Sequence, residues 1–435
     1  MPEEEPTTSP ALPRRKVFTS LAATAAVAGT AGVFAGQALA QPAVAGPEPT
    51  VPFHGEHQPG IAMPQQKHAV FVAFQLLPKD MRTGKELTEK QVAAKLAALL
   101  EDWTATAEAL MRGADPQPLA SHTKSHFATE AIAEGLNPAR LTITLGMGPW
   151  AFRMAGLADR APRHLTELPD FPGDQLNPGW SGGDLLLQIC GDDPQVISEA
   201  FLSMRARVMG TCQLKWTQQG FLSTPKGATP RNLMGHKDGT ANPGFDSPEF
   251  AETVWSKKDE PEWFSGGSYL IFRKIRMRLP EWSLATADKQ NRSIGRHRDT
   301  GAGLGAETET AELDLDAKDG KGKPVIPIDA HVRRVKDVPM FRRSFNYDYG
   351  FLTQKELQQD DHATGTDGHS HDKHPYDAGL LFTAYVADPA NFIEAQDKMS
   401  ESDALNEFVI NTGSAIFAVP PGVSEGQSWA RGLFG

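Results

Sequence analysis

Apolar positions along the chain fall into two rhythms. Nine residues, His68–Leu76 (HAVFVAFQL), are apolar almost without interruption, which predicts a strand buried on both faces. Between Leu87 and Arg112 the apolar residues Val92, Leu96, Leu99, Leu100, Trp103 and Leu110 recur at helical spacing and predict an amphipathic helix. Short apolar runs at Leu141–Leu145 and Asp184–Cys190 read as further strands, the second followed by a helix over Pro194–Val208.

One of these patterns returns later in the chain. DLLLQICGDDPQVI at 184–197 aligns with GLLFTAYVADPANFI at 379–393, setting Leu185 on Leu380, Leu186 on Leu381 and Asp193-Pro194 on Asp388-Pro389. Phe71-Val72-Ala73-Phe74 aligns with Tyr269-Leu270-Ile271-Phe272 at nearly the same offset. The two matches predict a duplicated strand–helix–strand unit. Each half is then an antiparallel sheet with helices on one face, an α+β arrangement, and the interface between halves favours a cofactor pocket. Residues 284–330 and 358–375 read as loops. The second is acidic and holds His362, His369, His371 and His374, a copper or iron site on one reading and a solvated loop on the other.

Composition sharpens this picture in three places. A length of 435 residues suits two cores. A net charge of −11 is a poor match for nucleic acid or an anionic membrane. Two cysteines, Cys190 and Cys212, cannot build a zinc ribbon or a disulfide framework, although one disulfide remains open to them.

The N-terminus reads as an export signal. Arg14-Arg15-Lys16 precedes a charge-free, weakly apolar run that ends in Ala38-Leu39-Ala40, a small-residue cleavage site. A twin-arginine signal fits best, which implies export in the folded state to a secreted or extracytoplasmic location, with no stable membrane insertion after cleavage. The expected organisation is a signal over 1–40, an extended leader over 41–66, an N-terminal half over 67–225 and a C-terminal half over 226–435.

Candidate chemistry concentrates in the second half. Asn232–Pro243 (NLMGHKDGTANP) is the densest run of turn-forming residues. Read plainly, it is a loop in which Asp238 caps its own backbone. Read functionally, its glycines let the backbone approach a cofactor while Asp238 is held over it. His331 precedes Val332-Arg333-Arg334, and Arg342-Arg343 follow shortly after. Taken alone, these are a structural histidine and a solvated basic face.

Seven segments in order change that balance: VPFHGEHQPGI at 51–61, NLMGHKDGTANP at 232–243, IGRHRDTGA at 294–302, HVR at 331–333, FRRSFNY at 341–347, GLLFTAYVADP at 379–389 and GSAIFAVPPG at 413–422. Together they resemble the dye-decolourising peroxidase family, in particular its secreted deferrochelatase/peroxidase branch, from about residue 50 to the end. The resemblance implies two ferredoxin-like halves, with a haem b pocket in the C-terminal half near the interface. It implies Asp238 as the distal acid/base, in a G-x-x-D-G match at Gly235–Gly239, and His331 as the axial iron ligand. It also implies Arg333 at a haem propionate, Arg342 as the distal arginine, and Gly239, Thr240 and Ala241 lining the haem. Ser344 stands where the branch commonly has glycine, so Arg343 is kept as a lesser candidate for the role of Arg342. Asp388 is considered, by analogy with the repeat, as the hydrogen-bond partner of His331.

The chemistry explains the residue types. A carboxylate moves a proton between the two oxygens of hydrogen peroxide, and a fixed guanidinium stabilises negative charge on the leaving oxygen. Tyr347 and Tyr349 are the nearest aromatic residues to carry electrons from donors too bulky for a sealed pocket; plain packing is the competing reading. The expected partners are hydrogen peroxide, an organic donor and the export machinery. Two other functions compete: release of iron from haem, and non-enzymatic haem carriage. A multicopper oxidase is disfavoured, because repeated His-x-His pairs and a Cys–His cluster are missing.

Overall fold

The computed structural model describes residues 50–117, 132–225, 227–257, 259–352 and 376–434. Residues 1–40, read above as an export signal, and the histidine-rich stretch 362–374, read above as a loop, lie outside the described residues.

The first half comprises β1 (His68–Leu76), α1 (Glu89–Met111), β2 (Thr142–Met147), α2 (Pro149–Met154), β3 (Leu185–Gly191), α3 (Pro194–Ala206) and β4 (Cys212–Phe221). Its strands are antiparallel in the order β2-β3-β1-β4. The second half comprises α4 (Pro248–Val254), β5 (Ser268–Met277), α5 (Leu279–Leu284), α6 (Ala287–Ile294), α7 (His331–Val335), β6 (Phe341–Arg342), β7 (Phe345–Phe351), β8 (Tyr376–Val386), α8 (Ala390–Ser402) and β9 (Val409–Val419). Here the order is β9-β5-β8-β7, so both halves have the same ferredoxin-like topology. Met147 of β2 pairs with Ala418 of β9, and Phe221 of β4 pairs with Asn346 of β7. These two seams close eight strands into a barrel, on which β6 is a short addition beside β8.

Local sequence accounts for the elements. β1 alternates Ala69, Phe71 and Ala73 into the barrel with Val70, Val72 and Phe74 toward the helices, so both faces are apolar. Inside the barrel Phe71 meets Phe272 at 5.3 Å and Phe345 at 6.2 Å between ring centroids. Outside it, Phe74 packs on Trp103 of α1 at 5.4 Å. Thr88 and Gln91 form a capping box at the start of α1.

The duplication is present, with one change of phase. Asp193 accepts from the backbone N–H groups of Gln195 and Val196 at the start of α3, and Asp388 accepts from that of Ala390 at the start of α8. The repeated Asp-Pro thus opens equivalent helices. Phe71 pairs with Gln188 as Phe272 pairs with Thr383, which makes Phe272 the counterpart of Phe71. The sequence alignment had set Phe71 on Tyr269, three residues out of phase, because uniformly apolar strands carry no register of their own.

Two other expectations are corrected. The stretch read as a loop over 284–330 contains α6, whose polar sequence ADKQNRSI hid it. The described part of the leader is packed rather than merely extended, with Phe53, Gln58, Ile61 and Gln66 buried. The Gln58 amide donates to the carbonyls of Leu145 (3.1 Å) and Pro420 (2.9 Å) and so laces the β2–β9 seam.

Candidate active site

Two backbone segments meet around a small cavity of about 120 Å³, walled by Asp238, Gly239, Asn242, Arg342, Ser344 and Asn346 among others. The first segment is a short hairpin in which Arg231 pairs with Lys237 and the Asp238 N–H donates to the Pro230 carbonyl at 2.9 Å. Its turns need glycine: Gly235 has φ 87° and Gly239 has φ 103°. The second segment is β6 and the start of β7. Arg342 Nη1 lies 3.5 Å from Asp238 Oδ1, and each side chain is 24% exposed, so the pair is open to a small molecule yet partly desolvated.

Asn242 ties the segments together. Its Nδ2 donates to the Arg342 carbonyl (2.7 Å) and its Oδ1 accepts from the Arg342 N–H (3.0 Å). Its own N–H donates to the Gly239 carbonyl at 3.0 Å. The sequence reading gave Asn242 no role, although a side chain carrying both a donor and an acceptor inside a turn is the available signal. Arg343 points away from the cavity. It is buried, and it donates to the Met63 carbonyl (2.6 Å) and to Gln66 Oε1 (2.7 Å) in the leader. Of the two, Arg342 is the one that pairs with Asp238.

His331 begins α7. Its Nδ1 lies 2.7 Å from Asp403 Oδ2; the histidine side chain is 25% exposed and the carboxylate 1%. A carboxylate only accepts, so Nδ1 is the donor, and Nε2 is the ring nitrogen left for a metal. Asp388 is not the partner. It stands at the N-terminus of the 13-residue helix α8, and Asp403 is the C-cap at the other end, about 20 Å along the axis. Val332 packs in an apolar cluster with Met277, Ile294, Leu380 and Phe408, and Leu380 also lines the Asp238 cavity, so the two groups border one apolar region.

The other predicted residues are placed as follows. Arg333 donates to the carbonyls of Pro327 (3.1 Å), Leu315 (2.5 Å) and Ile326 (2.8 Å), bracing the loop that leads into His331. The Thr240 hydroxyl donates to Glu309 Oε1 at 3.0 Å, and Ala241 is exposed. Glu309 also gathers Lys237 and Thr229; burial opposes its ionisation, but these three partners outweigh that and hold its carboxyl below the ordinary value. Tyr347 is buried and donates to Asp377 Oδ1 (3.0 Å); Tyr349 is half-exposed, with its ring 5.0 Å from that of Tyr347. Cys190 and Cys212 are buried free thiols, and burial pushes that of Cys190 up to about 12. Among the described residues no group of three or more His, Cys, Asp or Glu is placed to hold a bare metal ion, and no helix is long and apolar enough to cross a membrane.

The donor set fits a haem. It offers one imidazole oriented by a buried carboxylate, an apolar cluster beside it, and a carboxylate–guanidinium pair at a small cavity bordering that cluster.

Comparison with known proteins points the same way. The family description "Dyp-type peroxidase, N-terminal" matches residues 58–222, and "Dyp-type peroxidase, C-terminal" matches residues 229–424. A dye-decolorizing peroxidase of Thermobifida fusca is 37% identical over 380 residues, 83% of this chain and 80% of that protein. A deferrochelatase of Escherichia coli K12 is 32% identical over 395 residues, covering 87% and 85% of the two chains. The ferric form of DtpA from Streptomyces lividans superposes with a TM-score of 0.76 at 34% identity, covering 91% of this chain and all of the other. Matched along nearly its whole described length, the chain belongs to the Dyp-type peroxidase family, haem enzymes that use hydrogen peroxide.

Proposed function

We propose that the protein is a haem b peroxidase that oxidises bulky organic donors, dye-like or phenolic, with Asp238 and Arg342 activating hydrogen peroxide and His331 holding the iron. The observation that carries this reading is the 3.5 Å pairing of Asp238 with Arg342 at a cavity that borders the apolar cluster holding Val332, next to His331. When bound, haem supplies the redox chemistry, a two-electron reduction of peroxide followed by one-electron oxidations of the donor.

The protein's own part is proton transfer and charge stabilisation. Asp238 would take the proton from one oxygen of the peroxide and return it to the other as the O–O bond breaks. Arg342, its backbone held by Asn242, presents a guanidinium that stabilises negative charge as that oxygen leaves. Asp403 fixes the His331 tautomer. For donors too bulky to enter, electrons would come from outside, and the Tyr349–Tyr347 pair is one route in. Gly239 gives the backbone close approach to the haem; Thr240 and Ala241 act by shaping that turn. Export through a twin-arginine route is proposed on the sequence alone, with a mature N-terminus near Gln41.

A non-enzymatic carrier has no use for the Asp238–Arg342 pair. Iron release from haem is the second reading, favoured by the 32%-identical deferrochelatase relative. Incubation with haem and analysis for metal-free porphyrin separates the two. The principal test is stopped-flow mixing of Asp238→Asn and Arg342→Leu with hydrogen peroxide. Both variants are expected to retain haem and to react about 10²–10⁴-fold more slowly. Arg342→Leu is expected to be the slower, because water replaces a proton carrier better than a fixed charge. Wild-type rates in both would refute the assignment.

A further inference from the structure

A second, larger cavity of about 650 Å³ opens between the hairpin that carries Asp238 and the segment from Leu279 to Asp299. Leu233, Met234, Leu279 and Trp282 give it an apolar floor, and Arg231 and Arg298 give it a cationic rim. Arg231 also lines the Asp238 cavity, so one side chain borders both. Trp282 is buried at the floor, donates its indole N–H to the Met234 carbonyl (2.9 Å) and belongs to the apolar cluster that reaches Leu380. Beside the groove Leu284 is 86% exposed, which extends the apolar surface outward.

Charge selects among occupants. Two guanidinium groups face the groove against one carboxylate, Asp299, whose Oδ1 accepts from the Thr300 N–H. A cationic rim on a chain of net charge −11 is a local exception to the acidic whole. Both arginines are held in place: Arg231 donates to the carbonyls of Gly235 (2.7 Å) and Asp299 (2.7 Å), and Arg298 to Gln290 Oε1 (2.9 Å). Fixed cations over an apolar floor match a flat ring carrying a negative group.

We propose that this groove is the docking site for the electron donor, and that the donor is a hydroxy- or amino-substituted aromatic bearing a sulfonate or carboxylate. The proposal rests on the peroxidase reading above. In each turnover two donor molecules give up one electron and one proton apiece, and hydrogen peroxide becomes two waters.

The test uses the haem-loaded enzyme, an amino-anthraquinone sulfonate as anionic probe and neutral 2-methoxyphenol as small donor. Ser283→Trp fills the groove from an exposed position, and Arg298→Gln removes one charge. Equilibrium binding of the sulfonate without peroxide is expected to weaken about tenfold or more in Ser283→Trp. In Arg298→Gln it is expected to weaken about threefold to fivefold, with less salt dependence. KM for the sulfonate should rise in step, while kcat/KM for 2-methoxyphenol and KM for peroxide stay within twofold. Unchanged sulfonate binding in both variants would overturn the proposal. So would weakened binding with unchanged KM, since the groove would then hold the dye unproductively. Failure of the wild type to oxidise 2-methoxyphenol would instead overturn the peroxidase reading, and the binding measurements would still decide whether the groove takes the anion.

Discussion

Replacing Asp403 removes a buried carboxylate that performs two tasks. Its Oδ2 receives His331 Nδ1 at 2.7 Å, and its Oδ1 receives the Leu405 N–H at 2.8 Å. A charge-assisted hydrogen bond at a site 1% exposed contributes about 1.5–3 kcal/mol. Loss of the partner that orients a metal-bound histidine costs about 10–100-fold in affinity, the same size on the free-energy scale. Asp403→Ala is therefore expected to release haem about 10–100-fold faster, and to lose about 1 kcal/mol more of apoprotein stability through the missing cap. Asp403→Asn keeps an oxygen for Leu405 but not the negative charge, so it separates the two effects: haem loss close to that of the alanine variant, with thermal stability nearer the wild type. Haem transfer to an excess of apomyoglobin measures the first, and melting of the haem-free protein the second. If both variants release haem at the wild-type rate, the coupling of Asp403 to the iron ligand is wrong.

Two further outcomes test the parts that shape the cavity. Asn242→Ala should slow the reaction with peroxide about tenfold while haem binding is kept, because Arg342 loses both backbone anchors; a wild-type rate with azide affinity also unchanged would show that β6 holds itself. Glu309 ionises below its ordinary value in the folded chain, so it adds stability above that range and the contribution fades as pH falls through the folded pKa. Glu309→Gln should accordingly melt at lower temperature than wild type at pH 7, with the gap closing on acidification; a gap independent of pH would rule out this carboxylate as its source.

How far the sequence could be read depended on where each signal lay. His68–Leu76 announced itself because a strand buried on both faces needs no partner to look apolar. The helix after Leu87 showed through its apolar spacing, whereas α6 was invisible because only Gln290, Ser293 and Ile294 of it are buried. The turn holding Asp238 was legible from its glycines. The choice between Arg342 and Arg343 was not, since long-range contacts decide it: β6 ends at Arg342, and Arg343 is held by Met63 and Gln66 of the leader. Asp403 was hidden more deeply. It lies 72 residues from His331 in an acidic, serine-containing stretch that gives no pattern, and the repeat drew attention to Asp388 because duplication preserves helix starts, not ligand shells.

The two seams of the barrel have a consequence for the order of assembly. Within the first half, β1 and β3 pair continuously from His68↔Gly191 to Phe74↔Leu185, but strand pairing between the halves is confined to Met147↔Ala418 at one seam and Phe221↔Asn346 at the other among the described residues. Each half-sheet can therefore be complete before the barrel exists. The cavity at Asp238 cannot, because Gln65 and Leu222 wall it from the N-terminal side and Arg342, Ser344 and Asn346 from the C-terminal side. Gly220, beside the second seam, has no room for a side chain: an added Cβ would lie 2.6 Å from that of Phe345. The reactive chamber is thus a product of docking, complete only where the two halves meet.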